Sequence, residues 1–253
     1  MIASIHHVGI AVKRLSEAYR LYRDVLGLPL IKEAEIADQG VRAALLAAGD
    51  SEVELLEPLG PDSGLARFVA KHGEGLHHVC FQSADVAADL GALKEKGAEL
   101  IDAVPRPGLA GMIGFLHPRA CAGVLVELAT PFAGEGGAPH PSGLRLKRLI
   151  IGAQEPRATA ARFQGLFALP ELPMNGGPRV MLTVGRSELL IVPDGEVGGR
   201  EGMVALSMVA VDFERLLAGF ERAGTPGVLR GTGEVTLEPA TTHGVHLHIT
   251  RYE

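Results

Sequence analysis

The sequence predicts an α+β fold in which one β-α-β-β-β unit is written four times and shared between two domains. Three observations predict it. A strand-like run, IHHVGIAV at 5–12, recurs as LHHVCFQS at 76–83. Each copy leads into an amphipathic stretch followed by further strand-like runs. A segment of Gly, Pro and Ser without periodicity, AGEGGAPHPSG at 133–143, then separates this pair from a weaker third and fourth copy.

The elements follow in order. In the first unit SEAYRLYRDVLG (16–27) reads as a helix, with Ser16 as N-cap and Gly27 beyond its end; PLIKEAEI, GVRAALLAA and SEVELLEP read as strands. In the second, DVAADLGALKEKG (85–97) is the helix, capped by Asp85 and closed by Gly97, and AELIDA, MIGFLH and GVLVELAT are the strands. In the third, LRLKRLIIGA (144–153) is strand-like, EPRATAARFQGLFAL (155–169) is helical with Pro156 in its first turn, and PRVMLTVG and SELLIVP follow as strands. The fourth has MVALSMVAV (203–211), the helix DFERLLAGFERAG (212–224), then EVTLEP and GVHLHIT. The expected domains are 1–131 and 144–253, with 132–143 as linker.

Composition narrows the function. The 253 residues are 47% hydrophobic and 21% charged, as in a globular protein with ample core. A net charge of −6, no Trp and 4% aromatics argue against nucleic-acid partners, which favour basic faces and stacking platforms. No apolar run reaches the ~20 residues of a membrane span, and MIASIHHVGIAV lacks the basic-then-apolar plan of a secretory signal; a cytoplasmic location is expected. Cys80 and Cys121 have no partner at metal-ligand spacing and read as buried thiols in a reducing compartment.

Four polar residues fall into repeat register. His7 matches His78, 71 residues on, and Glu54 in VELLEP matches Glu127 in VELATP, 73 residues on. Each unit therefore gives one His on its first strand and one Glu on its last. On 5–12 the alternation places Ile5, His7, Gly9 and Ala11 on one face, and on 76–83 it groups His78, Cys80 and Gln82. A carboxylate within an apolar strand is costly unless neutralised, paired or metal-bound. Imidazole with carboxylate is a ligand set for Zn, Co, Ni, Mn or Fe, so one divalent ion is expected. The matching positions of the second half, Arg148, Leu189, Ala205 and His248, cannot form such a set, although His246 and His248 share a face and leave a separate weak site conceivable.

Residues 5–131 resemble the methylmalonyl-CoA epimerase family of the vicinal-oxygen-chelate (glyoxalase and bleomycin resistance) superfamily. The pieces that carry the resemblance are IHHVGIAVKRL, YRDVLGL, DQGVRAALLAAGDSEVELLEP, GLHHVCFQSADV, LKEKGAELIDAVPRPG and FLHPRACAGVLVELATP. The resemblance implies a vicinal-oxygen-chelate fold, a divalent ion, often cobalt, held by His7, Glu54, His78 and Glu127, and an acyl-CoA-type substrate. It implies acid/base catalysis by Asp38, just before QGV, with Glu127 serving the opposite face of the substrate. The family's usual member is a single domain that dimerises, so this chain is expected as a pseudo-dimeric monomer or a homodimer, with no membrane partner. Other readings on the same scaffold are a glyoxalase I type isomerase, a ring-cleaving dioxygenase, and a non-catalytic small-molecule binding protein.

Overall fold

The structure is a computed structural model that describes residues 2–133 and 142–253. Its first half runs β1 (Ile2–Ala11), α1 (Leu15–Tyr19), β2 (Leu30–Ile36), β3 (Val41–Ala48), β4 (Ser51–Pro58), α2 (Gly64–His72), β5 (Gly75–Ser83), α3 (Val86–Glu95), β6 (Arg106–Gly108), β7 (Gly111–Leu116) and β8 (Val126–Thr130). Its second half runs β9 (Leu144–Ala153), α4 (Pro156–Phe167), β10 (Glu171–Leu172), β11 (Val180–Val184), β12 (Ser187–Pro193), β13 (Gly202–Ala210), α5 (Phe213–Ala223), β14 (Val228–Gly231), β15 (Glu234–Leu237) and β16 (His246–Thr250).

Two eight-stranded sheets result, ordered β2-β3-β4-β1-β5-β8-β7-β6 and β10-β11-β12-β9-β13-β16-β15-β14. The two orders are the same topology, so the fourfold β-α-β-β-β plan and the α+β class expected from the sequence are present. In each sheet the first strands of two successive units lie side by side at the centre. That position is why a residue repeated on those strands can meet its own copy.

The described residues of Met1–His7, His78–Gly137 and Arg148–Val204 form one compact unit. In it Val86, Leu90 and Leu93 of α3 are buried, and Gly114 leaves room for Leu90, whose Cδ1 lies 2.6 Å from where a Cβ would stand. Phe81 meets Phe167 edge-on at 5.1 Å. Lys96 Nζ donates to the carbonyls of Gly165 and Leu166 at 3.0 and 2.8 Å, satisfying acceptors that the end of α4 leaves open.

The described residues of Val8–His77, Ala138–Lys147 and Ala205–Glu253 form the other unit. Tyr22, 1% exposed, donates its hydroxyl to the Thr242 carbonyl at 2.9 Å. Glu74 Oε1 accepts from Lys13 N at 2.7 Å and contacts His243 Nδ1 at 3.1 Å. Beside it Gly244 sits at φ +81°, and a Cβ there would stand 1.7 Å from the Glu74 carbonyl oxygen.

Several local expectations are corrected. Ser16 lies inside α1; the N-cap residue is Arg14, without a side-chain bond. The helix then widens into a π-helical turn, Arg20–Val25, closed by Leu26 N→Leu21 O at 2.8 Å. Asp85 does cap α3, accepting from Ala88 N at 3.0 Å. AELIDA forms no strand, only a bridge between Leu100 and Leu116, because the Asp102 carboxylate takes Phe115 N and Arg106 Nε and turns the chain away from the ladder. The paired strand there is β6. The sequence reading lacks helix α2 and the short strands β10 and β14, although Ser63 caps α2 and Leu65, Phe68 and Val69 fall at helical spacing within it. The expected linker falls largely on 134–141, outside the described residues.

The Gly244 packing predicts that Gly244→Ala destabilises the protein by at least about 1–2 kcal/mol from the left-handed backbone alone, lowering Tm by several degrees in a thermal melt. An unchanged Tm would contradict the close approach described.

Candidate metal centre

Strand alternation delivers the site. His7 on β1 and His78 on β5 are 0% and 1% exposed, and Glu54 on β4 and Glu127 on β8 are 5% and 3% exposed. In the sheet, Glu127 lies opposite Cys80 on β5 and opposite Phe115 on β7. His78, two residues before Cys80, shares their face. The Phe115 ring meets His78 edge-on at 5.5 Å and carries Arg106 at 5.7 Å from its centroid. Cys80, Ala110, Ile113 and Ala129 complete an apolar wall around it.

Three atoms converge within this wall. His7 Nε2 and His78 Nε2 are 2.9 Å apart, and Glu127 Oε2 is 3.3 Å from the first and 2.9 Å from the second. One donor atom from each of His7, Glu54, His78 and Glu127 lies within 4.8 Å of those of the other three. The spacings fit a shared cation. With bonds of ~2.1 Å, adjacent ligands stand ~3.0 Å apart at a right angle and ~3.4 Å apart at the tetrahedral angle. Two imidazoles and two carboxylates are also a chemically ordinary set for a divalent transition ion.

Burial and charge set the protonation states. Burial pushes His7 below the usual imidazole range, against the opposing pull of Glu127. Burial alone would raise Glu127, but the contacts with the His7 and His78 rings outweigh it and hold the carboxyl well below the usual range. Neutral imidazole beside an ionised carboxylate is the state that binds metal.

Two neighbours escaped the sequence reading. His6 turns its Nδ1 onto His7 Nδ1 at 3.0 Å, and burial, reinforced by His7, lowers it to about 3. Its signal in the sequence is the HH doublet at His6 and His7. Glu52 shares the strand face of Glu54, two residues away; burial pushes it up to about 7, with Lys32 pulling the other way. Its signal was the alternation in SEVELL. Asp38, expected as a base, is an exposed residue of the turn joining β2 to β3. Leu45 is the β3 residue opposite Glu54, four residues beyond Val41, so Asp38 lies more than ~13 Å along the hairpin from that level.

The second half holds no counterpart among the described residues: the groups of His, Cys, Asp and Glu close enough to share an ion are His7/Glu54/His78/Glu127 and His6/His7/Cys80. Arg148 pairs with Glu188 at 2.6 Å, and His248 contacts Ser207 Oγ at 3.2 Å and Glu234 Oε2 at 3.1 Å. Leu189 is not the counterpart of Glu54. The β3–β4 and β11–β12 hairpins pair Ala48 with Ser51 and Val184 with Ser187, which carries Glu54 onto Leu190 and leaves Leu189 on the fully buried face.

These shifts predict an acid-sensitive fold. His6 and His7 have folded pKa values below the unfolded value of ~6.5, so the unfolded chain binds protons first. Stability present above pH ~6.5 is then lost as pH falls, by ~1.4 kcal/mol per pH unit for each histidine. Glu52, raised to about 7, opposes one histidine across this window, so in chelator-treated protein Tm should still fall between pH 6.5 and 5, and His6→Asn should flatten that slope. A Tm independent of pH across this window would contradict the burial described.

Known proteins resemble this chain over its first half and, more distantly, over nearly its whole length. Residues 6–115 match the model of the Glyoxalase/Bleomycin resistance protein/Dioxygenase superfamily. The ethylmalonyl-CoA/methylmalonyl-CoA epimerase of Cereibacter sphaeroides is 37% identical over 131 residues, 51% of this chain and 98% of its own. A variant of Streptomyces coelicolor methylmalonyl-CoA epimerase, solved in complex with 2-nitronate-propionyl-CoA, is 39% identical with a TM-score of 0.51, covering 52% of this chain and 99% of its own. A variant of 4-hydroxymandelate synthase from Streptomyces coelicolor, 16% identical with a TM-score of 0.75 over 98% of this chain and 92% of its own, shares the fold along nearly the whole length. The chain belongs to the Glyoxalase/Bleomycin resistance protein/Dioxygenase superfamily, and its first half is a segment of the methylmalonyl-CoA epimerase family.

Proposed function

We propose that His7, Glu54, His78 and Glu127 hold one divalent ion, and that residues 1–131 use it to epimerise a malonyl-type acyl-CoA thioester by proton transfer at Cα. The observation that carries this reading is the buried convergence of His7 Nε2, His78 Nε2 and Glu127 Oε2 within 2.9–3.3 Å, in a chain whose relatives are named for ethylmalonyl-CoA and methylmalonyl-CoA. Cobalt is the proposed ion, within a donor set that also suits Zn, Ni, Mn or Fe.

The Cα proton of such a substrate is weakly acidic, and its removal leaves negative charge on the thioester oxygen. A bound divalent ion supplies a Lewis-acid centre for that charge and a point of attachment for the substrate's oxygens. Epimerisation needs a proton taken from one face and delivered to the other, hence two acid/base groups. Glu127, held ionised by the two imidazoles, serves one face; Asp38 is the proposed partner for the other, reaching the substrate from the β2–β3 turn. Nε2 of His7 and Nε2 of His78 would hold the ion beside that carboxylate. The wall of Phe115, Ile113, Ala110 and Ala129 keeps water from the reacting carbon. Residues 144–253 carry no ion and cover apolar surface that a single-domain relative would bury in a dimer. No helix among the described residues is long and apolar enough to cross a membrane; we propose a cytoplasmic enzyme.

The test is methylmalonyl-CoA incubated with the cobalt-loaded full chain in D2O. Deuterium should enter at Cα, chelation should stop it, and Asp38→Asn should slow it by about 100-fold or more. Absence of deuterium with the loaded chain, or turnover of a glutathione hemithioacetal instead, would refute the reading; an undiminished rate in Asp38→Asn would remove Asp38 from it.

A further inference from the structure

We infer that His6 is a positioning residue that fixes the ring tautomer of His7 and so aims His7 Nε2 at the ion; the inference rests on the metal-site reading above. Neighbouring residues of a strand point to opposite faces, yet the Nδ1 atoms of His6 and His7 are 3.0 Å apart, with the rings nearly perpendicular at 86°. Two imidazole nitrogens at that distance bond only when one of them carries a proton and the other a lone pair.

The rest of the cluster decides which. His7 Nε2 faces His78 Nε2 and Glu127 Oε2, and it can ligate an ion only through a free lone pair. The single ring proton of neutral His7 therefore belongs on Nδ1, where it is donated to His6 Nδ1. The proton of His6 must then sit on its own Nε2. One hydrogen bond thus fixes the tautomers of both rings and the orientation of His7. Ligating histidines ordinarily hand their second N–H to a carboxylate, a carbonyl or water. Here the acceptor is a neutral imidazole, so His7 is oriented without added negative charge behind it. Filling a half-buried space would account for a ring at position 6, but not for its Nδ1 being turned onto Nδ1 of His7.

Cys80 gives the rival assignment. One donor atom from each of His6, His7 and Cys80 lies within 4.8 Å of the other two, and a thiolate there would make the trio a second ion site.

The experiment measures Zn2+ affinity of the full chain by competition with a chelating dye, for wild type, His6→Phe and His6→Asn. Phenylalanine keeps a ring and removes the acceptor; asparagine restores an acceptor oxygen. His6→Phe should weaken zinc binding about 10–100-fold, the range for losing an outer-shell partner, and His6→Asn should recover most of it. Nitrogen–proton correlation spectra of the zinc-loaded wild type should place the His7 ring proton on Nδ1. Equal affinity in wild type and His6→Phe, equal loss in both variants, or a His7 proton on Nε2 would overturn the inference. So would a second equivalent of Co2+ with a thiolate-to-cobalt charge-transfer band that Cys80→Ser abolishes. Failure of the wild type to bind zinc at all would instead remove the metal-site reading beneath it.

Discussion

A carboxylate that is 3% exposed must be compensated, and Glu127 is compensated by two imidazole nitrogens rather than by an arginine or lysine. Much of the first half is arranged around that constraint. An ionised group taken out of water loses several kcal/mol of solvation unless its partners are close and well aimed. Here both partners come from strands that the repeat places at the centre of the sheet. Burial, not the carboxylate, keeps His7 below the usual imidazole range.

The second half shows what the fold does without that demand. Its sheet has the same strand order, but Leu190 stands where Glu54 stands in the first half, and Arg148 turns to Glu188. His248 is drawn to Ser207 and Glu234. The topology therefore does not need the four residues. At 16% identity the fold is shared over 98% of this chain.

Much of this was legible in the sequence because the period of a strand is short and the repeat is strong. The HHV doublets at His6–Val8 and His77–Val79 and the VEL triplets at Val53–Leu55 and Val126–Leu128 fixed four positions at once. What was not legible depends on local hydrogen bonds that pattern does not encode. Asp102 diverts AELIDA from the sheet by capturing Phe115 N. The one-residue slip at Leu189 follows from hairpin turns, with Gly49 and Gly185 at positive φ, that only the register reveals. His6 was passed over because alternation assigns it to the opposite face, and only the ring geometry shows it meeting His7.

On the proposed reading one ion belongs to the first half of this chain and none to the second. Calorimetric titration of the chelator-stripped full chain with Co2+ measures it directly. One equivalent per chain is expected, lost in His78→Ala and retained in His248→Ala. Absence of binding in the wild type, or binding that survives His78→Ala and disappears with His248→Ala, would contradict it.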